Sequence, residues 1–311
     1  MITSKSAAQL FYAMLRDQGK AAFTPFDLHL LVRILFRDRV YRGISIPHRN
    51  GPLTDSRARE LISNIAESRS TFYPPANNRL LIQAPDFLSE FYLLDRELSA
   101  VDQLMLADPL CYLSHQSALQ RHAVALTNDT AIHITTPRGT AWKRAAFTYM
   151  ASQLTTIGAV EWTAGNFELT KARPSPVVAG QHVYRHETQY PIPSQLALIA
   201  NCRVSPIGIA FRDTLMDPQW CGGIDHVIAV WRTHAKGHIE AIIPAIDNAP
   251  TQVAKVRAGY LLDELLGISD PRIDQWTAFA QRGSSRRLDP AAPFASTFSE
   301  KWMLSLNVAL N

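Results

Sequence analysis

The apolar residues near the start of the chain recur at helical spacing. From about Ala7 onward they form one stripe: Leu10, Phe11, Met14 and Leu15. Such a stripe places these side chains on one face of a helix, and glycine is a common residue just beyond a helix end. The pattern therefore predicts a first helix that ends at Gly19.

Two further helices are predicted from their N-terminal signals. In the run Thr24-Pro25-Phe26-Asp27, a Thr cap, a Pro at the first helical position and an acid three residues after the cap satisfy free backbone N–H groups. The apolar stripe continues with Leu30, Leu31, Ile34 and Leu35. After a loop with several Arg, Gly and Pro residues, Thr54 and Asp55 open a third helix. Its predicted inner face consists of Ala58, Leu61, Ile62 and Ile65.

A hairpin is predicted after the third helix. Its arms are residues 71–73 and 79–83, and a Pro-Pro-Ala-Asn-Asn turn joins them. Helices followed by a hairpin have the order of a winged helix-turn-helix, in which the third helix lies in the DNA major groove and the wing tip meets the backbone or minor groove. A three-helix module that contacts only proteins is the alternative.

The remainder of the chain predicts a mixed region. Residues 87–106 are interpreted as a connecting helix, with a domain boundary near residue 98. Beyond it we expect a helix over 114–125 and strands near 131–135, 159–169, 177–187 and 205–210. Further helices are expected over 211–216, 224–231 and 251–266. The predicted fold class is α+β or mixed: a winged helix-turn-helix domain over 1–98 and a mixed α/β domain over 99–311.

Charge strengthens the DNA interpretation of the first domain. Residues 1–98 contain 13 Lys and Arg against 10 Asp and Glu, whereas the rest contains 18 against 17. Between His29 and Arg79 the basic residues are all arginines, whose planar guanidinium suits phosphate and guanine. A mildly basic surface without a partner is the commoner explanation of a modest excess. The predicted DNA-binding residues lie on the loop, the third helix and the wing: Arg42, Arg49, Ser56, Arg57, Arg59, Ser63, Asn78 and Arg79.

Composition excludes several classes of protein. Apolar residues make up 47% and charged residues 19%, which is typical of a globular chain. The longest stretch without charge, residues 145–160, is too short and too polar for a membrane helix. Three cysteines without a C-x-x-C pair disfavour disulfides and zinc fingers, and buried thiols are expected. The start of the chain lacks the apolar run of a signal peptide, so we expect a cytoplasmic location.

No sequence pattern favours catalysis. Ser114 with His115 or His122 is a conceivable nucleophile and base, but sequence neighbours on a helix point in different directions, and Ser114 is interpreted as a helix cap. His182, His186 and Glu187 are interpreted as surface residues, because no third metal ligand is evident. The pair Asp213 and Asp217 is interpreted as structural, at a helix end before Pro218. We expect no enzyme activity, no metal and no cofactor.

A basic loop near the end of the chain is a candidate contact. Arg282, Arg286 and Arg287 flank Gly and Ser residues, and we expect these arginines to contact either DNA or an acidic face of a partner protein. A solvated loop is the alternative. Phe294, Phe298 and Trp302 follow at intervals of four, as on one helical face, and are expected to fasten the C-terminus onto the second domain.

Several segments in this order resemble the AbiEi family of antitoxins, from the AbiE abortive-infection toxin–antitoxin systems. Besides the N-terminal helices, the segments are 112–122 (YLSHQSALQRH), 132–136 (IHITT), 211–218 (FRDTLMDP), 221–227 (CGGIDHV) and 258–267 (AGYLLDELLG). The resemblance spans nearly the whole chain. It implies that the N-terminal domain binds inverted repeats in its own promoter, and that the C-terminal domain counters an AbiEii-like nucleotidyltransferase toxin, by direct binding or functionally.

The chain departs from the family pattern at two places. The charges are exchanged in Arg212-Asp213-Thr214, and the N-terminal third is longer and less typical. These departures bear on the DNA target and on the mode of DNA binding. Two alternatives stay open: a ligand-sensing winged-helix transcription regulator without a toxin partner, and an enzyme with an unrecognised α/β active site.

Overall fold

A computed structural model describes most of the chain. The described residues are 7–20, 22–46, 53–67, 92–93, 98–156, 168–281 and 286–309. The helices are α1 (Ala7–Asp17), α2 (Pro25–Asp38), α3 (Asp55–Glu67), α4 (Ala100–Ala107), α5 (His115–Arg121), α6 (Gly139–Thr156), α7 (Ile207–Met216), α8 (Ile224–His234), α9 (Ile239–Asp247), α10 (Gln252–Gly259) and α11 (Pro271–Asp274). Shorter turns are the 3-10 helices Pro218–Trp220, Ala235–His238 and Gln275–Phe279 and the π-helix Tyr260–Leu265.

The strands form one larger sheet and three short pairs. The strands are β1 (Ala22–Phe23), β2 (Val40–Tyr41), β3 (Ile44–Ser45), β4 (Tyr92–Leu93), β5 (Tyr112–Leu113), β6 (Ile132–Pro137), β7 (Val177–Val178), β8 (Gln181–Thr188), β9 (Ala197–Ile199), β10 (Cys202–Val204), β11 (Phe298–Ser299) and β12 (Leu304–Ser305). The larger sheet has the order β7-β8-β6-β5-β10-β9. It is mixed, because β10 is parallel to β5 while β5 and β6 are antiparallel. The fold is mixed α/β.

Two compact units divide the chain. The first unit comprises Met1–Cys111, Thr136–Gly180 and Glu187–Ile192, and the second comprises Tyr112–Thr135, Gln181–His186 and Pro193–Asn311. The expected division at residue 98 therefore differs from the observed one. The physical reason is the apolar face of α6, which buries Trp142 and Met150 in a cluster with Phe26 of α2. Phe26 and α6 are far apart in the sequence, so no local pattern predicts that they pack together.

The N-terminal helices and their caps follow the sequence patterns. The Thr24 hydroxyl accepts from the Asp27 N–H, and the Asp27 carboxylate accepts from the Thr24 N–H, which forms the predicted capping box. Thr54 caps α3 by accepting from the Arg57 N–H. One core contains apolar side chains of all three helices: Leu10, Phe11, Met14, Leu15, Leu28, Leu31, Val32, Leu35, Phe36, Ala58 and Ile62.

The segment between α2 and α3 contains a hairpin where a loop was expected. Strands β2 and β3 pair antiparallel around Arg42 and Gly43, which have φ angles of 49° and 72°. Positive φ at both central residues is typical of a type I′ turn, whose twist matches the flanking strands. The predicted wing at residues 71–83 lies outside the described residues.

Two other sequence predictions were wrong. Strand β4 occupies part of the expected connecting helix and pairs antiparallel with β1, and α4 begins only after the Ser99 cap. The expected strand over 205–210 is the start of α7. Gly208 lets α7 approach α9 closely, since a β-carbon there would meet the Ala241 carbonyl at 1.9 Å. Helix packing thus overrides the strand tendency of this apolar run.

A buried carboxylate connects distant segments of the first unit. Asp108 follows α4 and is 1% exposed. Its carboxylate accepts hydrogen bonds from the Thr136 hydroxyl of β6 (2.5 Å) and from the Trp142 indole N–H of α6 (2.7 Å), and the Lys171 ammonium lies 3.6 Å away. A buried charge needs such partners to offset its desolvation.

We expect Phe26→Ala to lower the free energy of unfolding by about 3–5 kcal/mol, because it empties a packed site shared by α2 and α6. Phe147→Ala is the matched control. Phe147 lies on α6 and is 58% exposed, so its loss is expected to cost about 0.5 kcal/mol or less. Denaturant unfolding of the full chain measures both; equal small losses would contradict the packing described for Phe26.

Candidate functional site

Helix α3 is the helix that the sequence predicts to lie in the DNA major groove, and it exposes two of the side chains predicted to contact DNA. In α3, Ala58 and Ile62 are buried in the core of the first unit. Ser56 and Arg59 are exposed, and Arg57 is half-buried. Ser63 belongs to α3, but its side chain lies outside the described residues, as do Arg49, Asn78 and Arg79 altogether. The structure thus places part of the predicted interface on one helix face.

Arg42 is placed on the β2–β3 turn and points back to α1. Its guanidinium pairs with the Asp17 carboxylate at 2.5 Å. The Tyr41 hydroxyl donates to the same carboxylate. Arg42 therefore already has an anionic partner in the first unit, which a DNA phosphate would have to replace.

The two described arginines of the predicted contact loop form hydrogen bonds within the second unit. Arg282 lies outside the described residues. The Arg286 guanidinium donates to the Phe279 carbonyl, and the Arg287 guanidinium donates to the Ala292 carbonyl at 2.9 Å. These intramolecular bonds give both arginines a structural role that the sequence did not indicate.

The expected helical face of aromatic residues after this loop is absent from the described residues 286–309, where the regular elements are β11 and β12. Trp302 is fully buried, and its indole N–H donates to Asp263 of the π-helix at 3.0 Å. Phe294 and Phe298 are about half exposed. Only Trp302 therefore fastens the C-terminal segment in the expected way.

A cluster of histidine and aromatic side chains was missed by sequence reasoning. It lies in the second unit and brings together residues of α5, β6, β8 and the turn after α7. Its members are His115, His133, Tyr184, His186, Asp217 and Trp220. The sequence contains one signal of this cluster: every second residue of β8 from His182 to His186 is His or Tyr. Alternate residues of a strand lie on one face, so these rings are side by side.

The rings of the cluster are in direct contact. His115 and His186 have ring centroids 4.0 Å apart, and Nδ1 of His133 lies 3.2 Å from Nε2 of His186. Tyr184 stacks on His133 with centroids 4.9 Å apart, and Trp220 lies 4.8 Å from Tyr184. His133 is 2% exposed, whereas Tyr184 is 41% exposed. The cluster therefore extends from the interior to the surface of the second unit.

Hydrogen bonds and an acidic neighbour surround His115. The Thr135 hydroxyl donates to the Ser114 oxygen at 2.8 Å, and the same Ser114 oxygen lies 2.9 Å from Nδ1 of His115. On the other side of the ring, Nε2 of His115 faces the Asp217 carboxylate at 3.9 Å. Ser114 is completely buried, so its hydroxyl does not reach a substrate in this conformation.

Ser114 and His115 converge, so the expectation that these two neighbours point in different directions was wrong. Ser114 is at the N-cap position of α5, yet its side chain makes no cap hydrogen bond. His115 has a φ of 49°, outside the helical region, and this backbone turn brings its ring toward Ser114. Neighbours in sequence therefore converge here, because the backbone of His115, the first residue of α5, does not have a helical φ.

The surroundings keep the inner imidazoles neutral. Burial lowers the pKa of His133 to about 4 and that of His186 to about 3, and the neighbouring histidines add to both shifts. The His115 imidazole lowers the pKa of the Asp217 carboxyl. Neutral imidazoles are ligands that transition metals accept, but among the described residues no three His, Cys, Asp or Glu side chains are arranged to hold a metal ion.

The three cysteines are buried thiols, as the sequence predicted. Cys111 and Cys221 are completely buried and Cys202 is 5% exposed. Burial raises the pKa of the Cys221 thiol, so it stays protonated and packs as a small apolar residue.

Comparisons with known proteins assign no family. No family model matches the chain, and no curated protein matches it. A solved structure, the RV2827C protein from Mycobacterium tuberculosis, aligns over 97% of this chain and 92% of that chain, with 14% identity and a TM-score of 0.46. A likeness at this level carries no functional conclusion. Within the described residues, none of the helices combines the length and apolar character needed to cross a membrane.

We expect the second unit to lose stability in mild acid through His133. Its folded-state pKa of about 4 lies below its ordinary value of 6.5, so the unfolded chain takes up the proton first as pH falls. The stabilisation is complete above about pH 6.5 and is lost progressively toward pH 4. Between pH 7 and 5 the free energy of unfolding should fall by about 2 kcal/mol through this group.

Denaturant unfolding at both pH values measures this loss. His133→Gln, which cannot be protonated, should show a loss smaller by that amount. His182→Gln is the control, because His182 is an exposed histidine on β8. An unchanged pH dependence in His133→Gln would show that His133 is not the titrating group.

Proposed function

We propose that this protein is a DNA-binding autorepressor and antitoxin. In this proposal the N-terminal helices form a winged helix-turn-helix that binds inverted repeats in promoter DNA, and the remainder counters a nucleotidyltransferase-type toxin of the AbiEii kind. The antitoxin half rests on the sequence resemblance to the AbiEi family. The DNA-binding half has in addition support from the geometry of the first unit.

The observation that carries the DNA-binding proposal is the order and pairing of the N-terminal elements. Helix α1, strand β1, helices α2 and α3 and the returning strand β4 follow one another, and β4 pairs with β1. The hairpin β2–β3 is an addition between α2 and α3. A strand that returns after the third helix is what a winged helix requires, while the wing itself falls outside the described residues.

The exposed face of α3 supplies suitable chemistry for DNA. Arg59 offers a planar guanidinium for guanine, and Ser56 offers a hydroxyl in the first turn of the helix, where the helix dipole favours an anion such as phosphate. Glu60 is also exposed on this helix, so the face carries a negative as well as a positive side chain and is not uniformly basic. Affinity then depends on phosphate contacts from surrounding arginines.

Breaking the Arg42–Asp17 ion pair so that Arg42 can bind a phosphate costs little free energy. The Arg42 side chain is 65% exposed and Asp17 is 30% exposed, so their pair is a surface ion pair. Such pairs contribute about 0–1 kcal/mol. A phosphate contact with similar geometry offsets that loss, and counterion release favours it at low salt.

We expect Arg59→Ala to reduce discrimination between operator and random DNA by roughly 1–3 kcal/mol, because a base contact is lost. Arg42→Ala should weaken binding to both DNAs alike, because a phosphate contact carries no sequence information. Fluorescence anisotropy with the full chain at several salt concentrations measures both effects.

Arg121→Ala is the matched control, since Arg121 is an exposed arginine of the second unit. Its affinity for both DNAs should equal that of the unmodified protein. Equal losses on operator and random DNA for Arg59→Ala would contradict a base contact. An affinity that does not change between low and physiological salt would contradict the phosphate contacts as well.

Neutralisation should be separable from repression. Co-expression of the full chain with a nucleotidyltransferase encoded beside it should restore growth, and Arg59→Ala should still restore growth while a promoter reporter is derepressed. The full chain is required because a cut at residue 98 would remove Phe26 from its cluster with α6. Continued toxicity with soluble, folded protein would overturn the antitoxin proposal and leave the DNA-binding proposal to its own test.

A further inference from the structure

A cavity of about 340 Å³ lies in the first unit between α1 and the β2–β3 hairpin. This volume falls within the range typical of small-molecule sites, about 300–1,000 Å³. The side chains that decide its chemistry are Tyr12, Arg16, Asp17, Tyr41, Arg42 and Ile44. Every one of them belongs to α1 or to the hairpin, so the cavity joins the first helix to the connection between α2 and α3.

The polar groups of the cavity favour an anion. Arg16 and Arg42 contribute two guanidinium groups, and Asp17 contributes one carboxylate, which leaves one positive charge in excess. Arg42 and Tyr41 both bind the Asp17 carboxylate. Arg16 is exposed, and its side chain has no hydrogen-bond or ion-pair partner among the described residues. The Arg16 guanidinium is thus available for a ligand, and the Arg42 guanidinium in the same lining is held by Asp17.

The apolar wall of the cavity favours a ligand with a carbon body. Tyr12 and Ile44 line the cavity, are half-buried and pack against the core of the first unit. The Tyr41 ring is a further half-buried part of the lining. An inorganic anion would leave this apolar surface uncovered, whereas an organic acid would cover it.

We propose that this cavity binds a small organic monocarboxylate, with its carboxylate on Arg16 and Arg42 and its carbon body against Tyr12 and Ile44. The carboxylate of the ligand shares Arg42 with Asp17 and forms a planar, charge-assisted pair with Arg16. The neutral parts of the ligand gain by displacing water from the apolar wall.

The position of the cavity gives the ligand a regulatory effect, which rests on the proposed function. Arg42 is on the turn between α2 and α3, and it is one of the predicted phosphate contacts. A bound carboxylate holds Arg42 against α1, so the DNA-binding form and the ligand-bound form compete for one side chain. By linkage, the ligand lowers DNA affinity by the factor by which DNA lowers ligand affinity.

Titration calorimetry with the full chain tests the site directly, with benzoate as the probe. We expect saturable binding of benzoate. Benzamide, which has the same body without the charge, and inorganic phosphate, which has charge without the body, should both bind at least about tenfold more weakly, a difference of about 1.4 kcal/mol. Equal binding of benzoate and benzamide, or no saturable benzoate binding, would overturn the proposed site.

Variants locate the probe. Arg16→Gln should weaken benzoate binding about tenfold or more, because a charge-assisted bond is lost while a polar side chain remains. Arg173→Gln is the control, since Arg173 is an exposed arginine of the same unit outside the cavity. Thermal unfolding of each variant without ligand checks that it is folded. Unchanged benzoate affinity in Arg16→Gln would place the probe elsewhere and overturn the assignment.

A second measurement separates the site from its effect on DNA. Saturating benzoate should weaken operator binding by the unmodified protein and leave operator binding by Arg16→Gln much less affected. Benzoate binding without any change in DNA affinity would overturn the regulatory part alone. If the protein does not bind DNA at all, the proposed function fails, while the calorimetric result still decides the cavity.

Discussion

The buried carboxylate of Asp108 is the constraint on which the first unit depends. A charge that is 1% exposed is tolerated only with strong partners, and here they come from segments far apart in the chain: the Thr136 hydroxyl, the Trp142 indole and the Lys171 ammonium. These bonds hold α6 at the position where its apolar face meets Phe26. The N-terminal helices are therefore supported by residues more than a hundred positions downstream.

This support explains why the N-terminal helices are better described as part of a larger unit than as an autonomous module. The core of α1, α2 and α3 is continuous and well buried, and α2 presents apolar side chains on two sides: Leu31 and Leu35 toward the helices, Phe26 toward α6. The exposed face of α3 is left on the side that α1 and α2 do not cover. A rigid scaffold beneath an exposed helix face is what the DNA recognition proposed above needs.

The histidine cluster shows a different use of buried polarity in the second unit. Neutral imidazoles of His133 and His186 lie within hydrogen-bond distance of each other, and the Ser114 hydroxyl, which accepts from Thr135, lies beside Nδ1 of His115. At neutral pH the arrangement carries no net charge on its inner rings, so its desolvation cost is modest. Acid changes this balance, because a proton on either inner ring is placed among other imidazoles and away from water.

Local patterns in the sequence determined the elements whose signals are local. The capping box at Thr24, the cap at Thr54 and the apolar stripes of α1 to α3 could be predicted, because a helix end or face is defined within a few residues. Tertiary structure decided what depends on distant contacts. The pairing of β4 with β1, the assignment of α6 to the first unit, the helix at Gly208 and the convergence of His115 with His186 each bring together segments far apart in the chain. Their energies come from burial and hydrogen bonds between those segments, which no local pattern records.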